Sequence, residues 1–596
     1  MKHKRLLLSF FILGCTAASC NKDFLQRMPQ TEISPDAYFN SPKDLDTYIN
    51  GLYDKQVVAN TDDGSSDNIS SYPGSDLDKL VRNSITPATA GGWDSWNQLR
   101  SINFMLDNVY KAQGDPSAIN HYIGIARYLR ARFYFRMLAT YGDVPWYSHA
   151  LSDIDPDIYK ARDPRTLIAD SILADLEYAV ANIKPDMGVN GTRVNKWAAL
   201  ALTSRFCLFE GTFRKYHEDL KLGGTEVKFL NRAASAAQEI MDSQKFRIYS
   251  TGKGGADYTA LFTSPSLAAN PEIILWRDYP QSLGKGNNTH SVLGWTWSLS
   301  QSLVYSYLMK DGTPFSAVPG YQKADFVTSF KDRDPRLAET VAFPGFSTMQ
   351  NDVKYVAKPN LGGYDQLKFY PRDPAARQGW DANYTALPIY RFAEVLLNYA
   401  EAKAELGTIT QTDLDKTIGE LRRRVQMPGL SLGVALDPVL SGEYNNIKSG
   451  NKAIILEIRR ERRVEMACEG LRLNDVSRWR AGARLAEKPQ GMYVPALGAI
   501  DMTGDNQPDF AILPSPNDSS AIAGLPADIK AKITRYYLKD NNGKENNFYL
   551  ENGNSGHIMF TADKAGRTFR EPQYYYRPIP LDQIVLNKNL VQLYGW

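Results

Sequence analysis

The stretch NHYIGIARYLRARFYFRMLATY, residues 120–141, decides the fold. Tyr122, Ile125, Ala126, Leu129, Phe133 and Met137 recur every three or four positions, the spacing of an α-helix with one apolar side. A strand would alternate instead. Upstream, residues 32–53 read as a helical start, with Ser34-Pro35 supplying cap and first turn before Tyr38 and Phe39. Between the two, residues 60–92 are rich in Ser, Asp, Asn and Gly and read as a long loop. Downstream, Asp163-Pro164 opens a helix that turns Ile168, Ile172, Leu176 and Val180 inward. Further helices are expected over 194–213, 231–240, 388–406 and 452–469. In the third of these Phe392, Val395, Leu396, Tyr399 and Leu406 form the stripe and Gly407 the stop; the last ends before Gly470. The expected fold is mainly α: a helix–turn–helix scaffold of the tetratricopeptide kind, without that repeat's consensus signature. Two irregular regions, 250–385 and 485–560, are rich in Gly, Pro, Asn and Asp, and loops over a rigid scaffold are where binding sites usually sit.

The N-terminus carries an address. Lys2, His3, Lys4 and Arg5 precede the apolar run LLLSFFILG, and small residues lead to Cys20. This pattern predicts a secretory signal peptide over 1–19, with Cys20 acylated and residues 20–31 as a lipidated tether; Cys15 competes for the same role. No other apolar run is long enough to span a bilayer. Cys207 and Cys468 sit inside helical patterns and read as buried free thiols. The net charge of +3 and the lack of basic clusters argue against a nucleic-acid partner.

Aromatic residues are plentiful, with 34 Tyr, 24 Phe and 10 Trp, and those in loops are the binding candidates. Trp93 and Trp96 follow the long polar loop, beside Asp94, Asn97 and Arg100; flat rings with adjacent polar groups suit a sugar, and the alternative is that they seat the next helix. Trp295 and Trp297 alternate, so in an extended segment one faces in and one faces out. Trp276, Arg277 and Tyr279 lie just upstream, Trp380 and Tyr384 form a third loop candidate, and Tyr72 is a weaker one. Glu461, Glu465 and Glu469 stand at i, i+4 spacing near Arg462, Arg463, Arg472 and Arg478. Carboxylates along one helix favour an ion-pair network over a glycosidase pair, which must flank its substrate from two sides. Neither a Gly-x-Ser-x-Gly elbow nor an HExxH pattern occurs. Asp501, Thr503, Asp505, Gln507 and Asp509 alternate around a turn; they resemble a calcium loop, with an Asx-rich hairpin as the alternative, and no other cofactor is expected.

Several blocks together resemble the SusD/RagB-type nutrient-binding outer-membrane lipoproteins. They are CNKDFLQRMP (20–29), ARYLRARFYFRMLATYGDVPWY (126–147), TRVNKWAALALTSRFCLFEG (192–211), LPIYRFAEVLLNYAEAKAELG (387–407), ILEIRRERRVEMACEGLRLNDVSRWR (455–480) and RPIPLDQIVLNKNLVQLYGW (577–596). The resemblance implies one integrated globular domain, with an N-terminal region over 32–245 and a C-terminal region over 246–596. It implies Trp197, Trp479 and Trp596 as core, and ligand aromatics near Trp96. It also implies a non-catalytic, lipid-anchored protein at the cell surface. Its expected partners are a SusC-like TonB-dependent barrel and an oligosaccharide or polysaccharide, with a peptide as the alternative ligand.

Overall fold

A computed structural model describes residues 38–93, 95–185, 191–348 and 353–596. The expected signal peptide, Cys20, the tether, Ser34-Pro35 and Asp94 lie outside the described residues. The first described long helix, α1 (Pro42–Gln56), starts at a second Ser-Pro pair, Ser41-Pro42. There the Ser41 hydroxyl accepts from the Asp44 amide, and the Asp44 carboxylate accepts from the Ser41 amide.

Seven further long helices follow: α2 (Trp96–Asn108), α3 (Pro116–Tyr141), α4 (Arg165–Asn182), α5 (Lys196–Tyr216), α6 (Glu226–Asp242), α7 (Phe392–Glu405) and α8 (Lys452–Glu465). Packing follows chain order. Helices α1 and α2 rest on α3, then α3 on α4, α4 on α5, α5 on α6, α6 on α7 and α7 on α8. This is the stacked helix-pair architecture the periodicity predicts. The core under it holds Ile125, Leu129, Phe133 and Met137 of the deciding stretch, and Trp197 and Trp479 as expected. Among the described residues no helix is long and apolar enough to cross a membrane.

The expected helix over 388–406 begins too early. Its first residues form strand β4 (Leu387–Arg391), antiparallel to β2 (Ile273–Arg277), and α7 starts only at Phe392. A five-residue strand running straight into a helix leaves no periodic break to read. The loop over 60–92 is not a plain excursion. Strand β1 (Ile69–Ser71) pairs with β3 (Ser298–Leu299), and a short helix spans Asp76–Val81. Asp63 is buried there and accepts from Asn68 and from the amides of Cys468 and Gly470. Two three-stranded sheets lie within or beside 485–560, one of β5 (Tyr493–Val494), β10 (Gly556–Phe560) and β9 (Phe548–Leu550), the other of β6 (Gly498–Ile500), β7 (Phe510–Leu513) and β8 (Thr534–Tyr537). A second core lies under these sheets and the 250–385 region.

The three glutamates of α8 and its C-terminal extension are held in an ion-pair network, as their spacing suggests, but by partners from elsewhere in the chain. Glu461 pairs with Arg336 and Arg422, Glu465 with Arg336, Arg391 and Arg424, and Glu469 with Arg391 and Lys368. The nearby arginines turn to other carboxylates: Arg462 to Asp475, Arg463 and Arg472 to Asp67, and Arg478 to Glu401. Burial alone would raise Glu465, yet Arg424, Arg391 and Arg336 hold it well below the usual carboxylate range. Cys207 and Cys468 are free and buried, as expected, and burial pushes both thiols up.

Candidate functional site

The pairing of β2 with β4 brings two loops together. The ladder continues past the strands: Gly286 donates to Asp381, and Asn287 and Asn383 exchange backbone hydrogen bonds at 2.9 and 3.1 Å. Asn288 then clamps the turn, its amide oxygen accepting from the Asp381 N–H and its amide nitrogen donating to the Asp381 carboxylate at 2.8 Å. Beyond this clamp Trp295 from one loop meets Trp380 from the other, edge to face, with ring centroids 5.4 Å apart. His290 closes the cluster, 4.9 Å from Trp380, and its Nδ1 lies 2.8 Å from the Asn383 side-chain oxygen.

Both indoles are 56% exposed, an unusual state for so large an apolar surface. Two indoles thus meet edge to face on a hydrogen-bonded turn and form an exposed aromatic platform. Asn288 and Asp381 offer polar groups beside it. The arrangement suits a flat molecule with one apolar face and a polar rim.

Trp297 goes the other way. It is buried, lies stacked on Tyr72 at 5.3 Å, and donates from its indole N–H to Gln366. The pair is thus sorted into one inward and one outward ring, although the chain is not extended here: it bends at Trp295 and Thr296, just before strand β3. Trp297 and Tyr72 leave the list of platform residues because they build the support beneath it. Trp276 is buried in the same core. Tyr384 is half-buried and joins this region through its backbone, donating to Ala376.

Gly294 sets the position of Trp295. It adopts φ +59°, and a Cβ there would meet the Asp365 carboxylate at 2.7 Å as well as the Tyr355 hydroxyl. The Lys358 ammonium donates to the Gly294 carbonyl, and the Tyr355 hydroxyl donates to Asp365 at 2.8 Å. Burial pushes the Asp365 carboxyl up to about 6, against the pull of the Tyr355 hydroxyl and the Lys358 amide.

The first sequence candidates form a separate place. Trp93 is buried, edge-on to Tyr141 at 4.8 Å, so it seats the start of α2. Trp96 is half-buried between Trp93, Phe133 and Tyr147, at ring distances of 5.2, 5.4 and 5.6 Å. Trp96, Asn97 and Arg100 line a mostly apolar cleft of about 620 Å³, walled by Tyr147 and by Leu586 and Leu590 near the C-terminus. The platform and this cleft share no lining residue.

The acidic loop turns its donors on the chain itself. Asp501 accepts from the amides of Gly504 and Asn506, and Asp509 accepts from the amides of Met502 and Thr503. Asp505 pairs with Lys354. Asp501, Thr503, Asp505 and Asp509 therefore take the geometry of the Asx-rich turn, and among the described residues the three carboxylates form no metal-sized cluster. The alternation that suggests a calcium loop also suits a turn whose amides need acceptors.

His290, Asn288 and Asp381 are the site residues that sequence reading misses. Their only signal is their place beside Trp295 and Trp380, and a lone His, Asn or Asp in a loop carries no pattern.

Two family models match the chain. One, described as the SusD family, covers residues 266–596, and the other, described as starch-binding associating with outer membrane, covers residues 23–208. Among curated proteins, SusD-like protein P2 of Formosa agariphila is 23% identical over 80% of this chain and 91% of its own length. SusD-like protein P38 of the same organism is 22% identical over 80% of this chain and 92% of its own. Among solved structures, a SusD-like carbohydrate binding protein from Bacteroides fragilis superposes with a TM-score of 0.67 at 22% identity, over 93% of this chain and all of that one. A second SusD-like protein from Bacteroides fragilis gives 0.65 at 20% identity, over 96% of this chain.

Proposed function

The chain belongs to the SusD family, and from that premise we propose that it is a cell-surface binding protein for glycans. In this reading it captures an oligosaccharide or polysaccharide, does no chemistry on it, and passes it to a SusC-like TonB-dependent barrel. Cys20 carries the lipid that holds the chain at the outer membrane. The observation that carries the reading is the exposed Trp295–Trp380 pair beside Asn288 and Asp381. Aromatic faces cover the apolar C–H side of a sugar ring, and the amide and carboxylate reach its hydroxyls. The description of the 23–208 match, starch-binding associating with outer membrane, supports the ligand class and the location. The cleft at Trp96, Asn97 and Arg100 is a second contact region in this reading; its apolar wall suits a bulkier or less polar part of the ligand.

Capture of this kind is weak per sugar. One aromatic contact adds about 0.5–1.5 kcal/mol beyond the area it covers, so several rings in register are needed for useful affinity. Weak contacts also let the ligand move on to the barrel.

The test is binding of the full chain, in detergent, to an array of polysaccharides, oligosaccharides and peptides. Trp295→Ala or Trp380→Ala should weaken a glycan hit roughly three- to tenfold, which corresponds to the stacking energy above. A glycan hit untouched by either substitution removes the platform from the site. Binding to peptides alone overturns the glycan reading. Failure to co-purify with any TonB-dependent barrel from the native membrane sinks the transporter part.

A further inference from the structure

One loop builds a wall of the Trp96 cleft, with His149, Leu151, Ser152, Asp153, Ile158 and Tyr159 in the lining. The two ends of that loop meet in a cluster of ligand-type side chains. His149, Asp155 and Asp157 bring one ring nitrogen and two carboxylate oxygens within 4.8 Å of one another. Among the described residues no other three His, Cys, Asp or Glu side chains converge in this way.

The backbone that carries them is pinned. Arg130 donates to the Ser148 carbonyl at 3.1 Å, Asn103 to the carbonyls of Tyr147 and His149 at 3.0 Å, and Arg100 to that of Leu151 at 3.2 Å. Asp107 accepts from the Ala150 amide at 2.7 Å. At the other end the Asp155 carboxylate accepts from the Asp157 amide at 2.9 Å and opens the short 3-10 turn Pro156–Tyr159. The charge of the cluster is left without a counterpart. Among the described residues neither Asp155 nor Asp157 pairs with a lysine or arginine, and Lys160, three residues on, turns to Asp163 at 2.7 Å. The contact inside the cluster is long for an ion pair. His149 Nε2 lies 3.4 Å from Asp155 Oδ2, against about 2.7–2.9 Å for a charge-assisted hydrogen bond. Two atoms bound about 2.0–2.2 Å from one tetrahedral ion lie roughly 3.3–3.6 Å apart.

The ligand set selects the ion. Ca2+ and Mg2+ take oxygen ligands, whereas an imidazole nitrogen beside carboxylates suits Zn2+ and its transition-metal neighbours. We propose that His149, Asp155 and Asp157 hold one Zn2+ ion, which staples the two ends of the loop and so fixes this wall of the Trp96 cleft. Three protein ligands leave the fourth position of the ion to water or to an oxygen of a molecule in the cleft. The site rests on its own ligand set and not on the glycan reading. The spacing His-x5-Asp-x-Asp carries no metal signature in the sequence, because the 3-10 turn is what folds Asp155 and Asp157 back towards His149.

The test strips the full chain, in detergent, with a chelator and titrates it with Zn2+, Ca2+ and Mg2+ by calorimetry. One equivalent of Zn2+ should bind, and Ca2+ and Mg2+ should bind about tenfold or more weakly. His149→Gln and Asp157→Asn, both at exposed positions, should each weaken Zn2+ about tenfold or more without changing the melting temperature of the metal-free chain. His290→Gln and Asp501→Asn should leave Zn2+ binding as it is. Cu2+ in place of Zn2+ should show imidazole nitrogen coupling in its EPR spectrum, and His149→Gln should abolish that coupling. Zn2+ should also slow amide exchange over residues 150–158, and should fail to do so in His149→Gln. Lack of a Zn2+ equivalent, Zn2+ binding indifferent to both ligand variants, or a preference for Ca2+ overturns the site. Amide exchange over the loop that Zn2+ leaves unchanged overturns the staple.

Discussion

A methyl group on Gly294 would collide with the Tyr355 hydroxyl and the Asp365 carboxylate, and the backbone there stands at φ +59°, which side chains tolerate poorly. The position of the exposed indole is thus set by a residue that touches no ligand. Gly294→Ala should shift Trp295 away from Trp380 and weaken glycan binding about as much as Trp295→Ala, while the chain stays folded. The strain, on the order of 1–3 kcal/mol, falls on one loop. Tryptophan fluorescence and affinity would be measured side by side; unchanged affinity would show that Trp295 is positioned by Trp380 alone. Trp96 differs from these loop rings. It is wedged among four aromatic neighbours, Trp93, Phe133, Tyr134 and Tyr147, so its removal opens a core cavity as well as changing the cleft surface.

At the scale of elements, the glutamate face of α8 ties together separate segments of the C-terminal region. Glu465 lies among guanidinium groups from the 330s, from the end of β4 and from residue 424, all buried. Buried ion pairs add little net stability over an apolar packing, but breaking one leaves charges without partners. Glu465→Ala should therefore cost about 3–5 kcal/mol, measured by urea unfolding. A loss below about 1 kcal/mol would mean that water or a rearranged carboxylate replaces it. The β2–β4 pair does a different job, because its extension through Asn287 and Asn383 is what sets two distant loops side by side. Neither role is visible along the helix or the strand alone. The periodicity of 455–469 reveals that its glutamates need cations, and the true cations are distant in sequence.

For the molecule as a whole, two sets of buried carboxylates oppose each other in pH. Burial raises Asp63 and Asp365 to about 6, against the pull of the groups that hydrogen-bond to them. The folded state then holds protons that the unfolded state has released, so above about 6 each group destabilises the fold, and this relaxes as pH falls from about 6 towards 4. Glu461, Glu465, Glu469 and Asp475 are lowered: burial would raise each, but the arginines beside them win. Their stabilisation is present above the ordinary carboxylate range and is lost as pH falls below it. The melting temperature should therefore peak near pH 4–5 and fall on both sides, with the loss on the upper side complete by about pH 6, and Asp365→Asn should flatten that upper limb; a melting temperature that rises between pH 4 and 6 would contradict the first set. The stacked helices and the family were legible in the sequence, as was the expectation that Trp295 and Trp297 part to opposite sides, because a 3.6-residue or two-residue period is a local property of the chain; which of the two faces in was not. That Trp295 meets Trp380, that Asp501 and Asp509 cap their own turn, and which arginines neutralise α8 emerge only in the folded chain. Those are pairings between distant segments, and a sequence records which groups need partners without recording which partners the fold brings within reach.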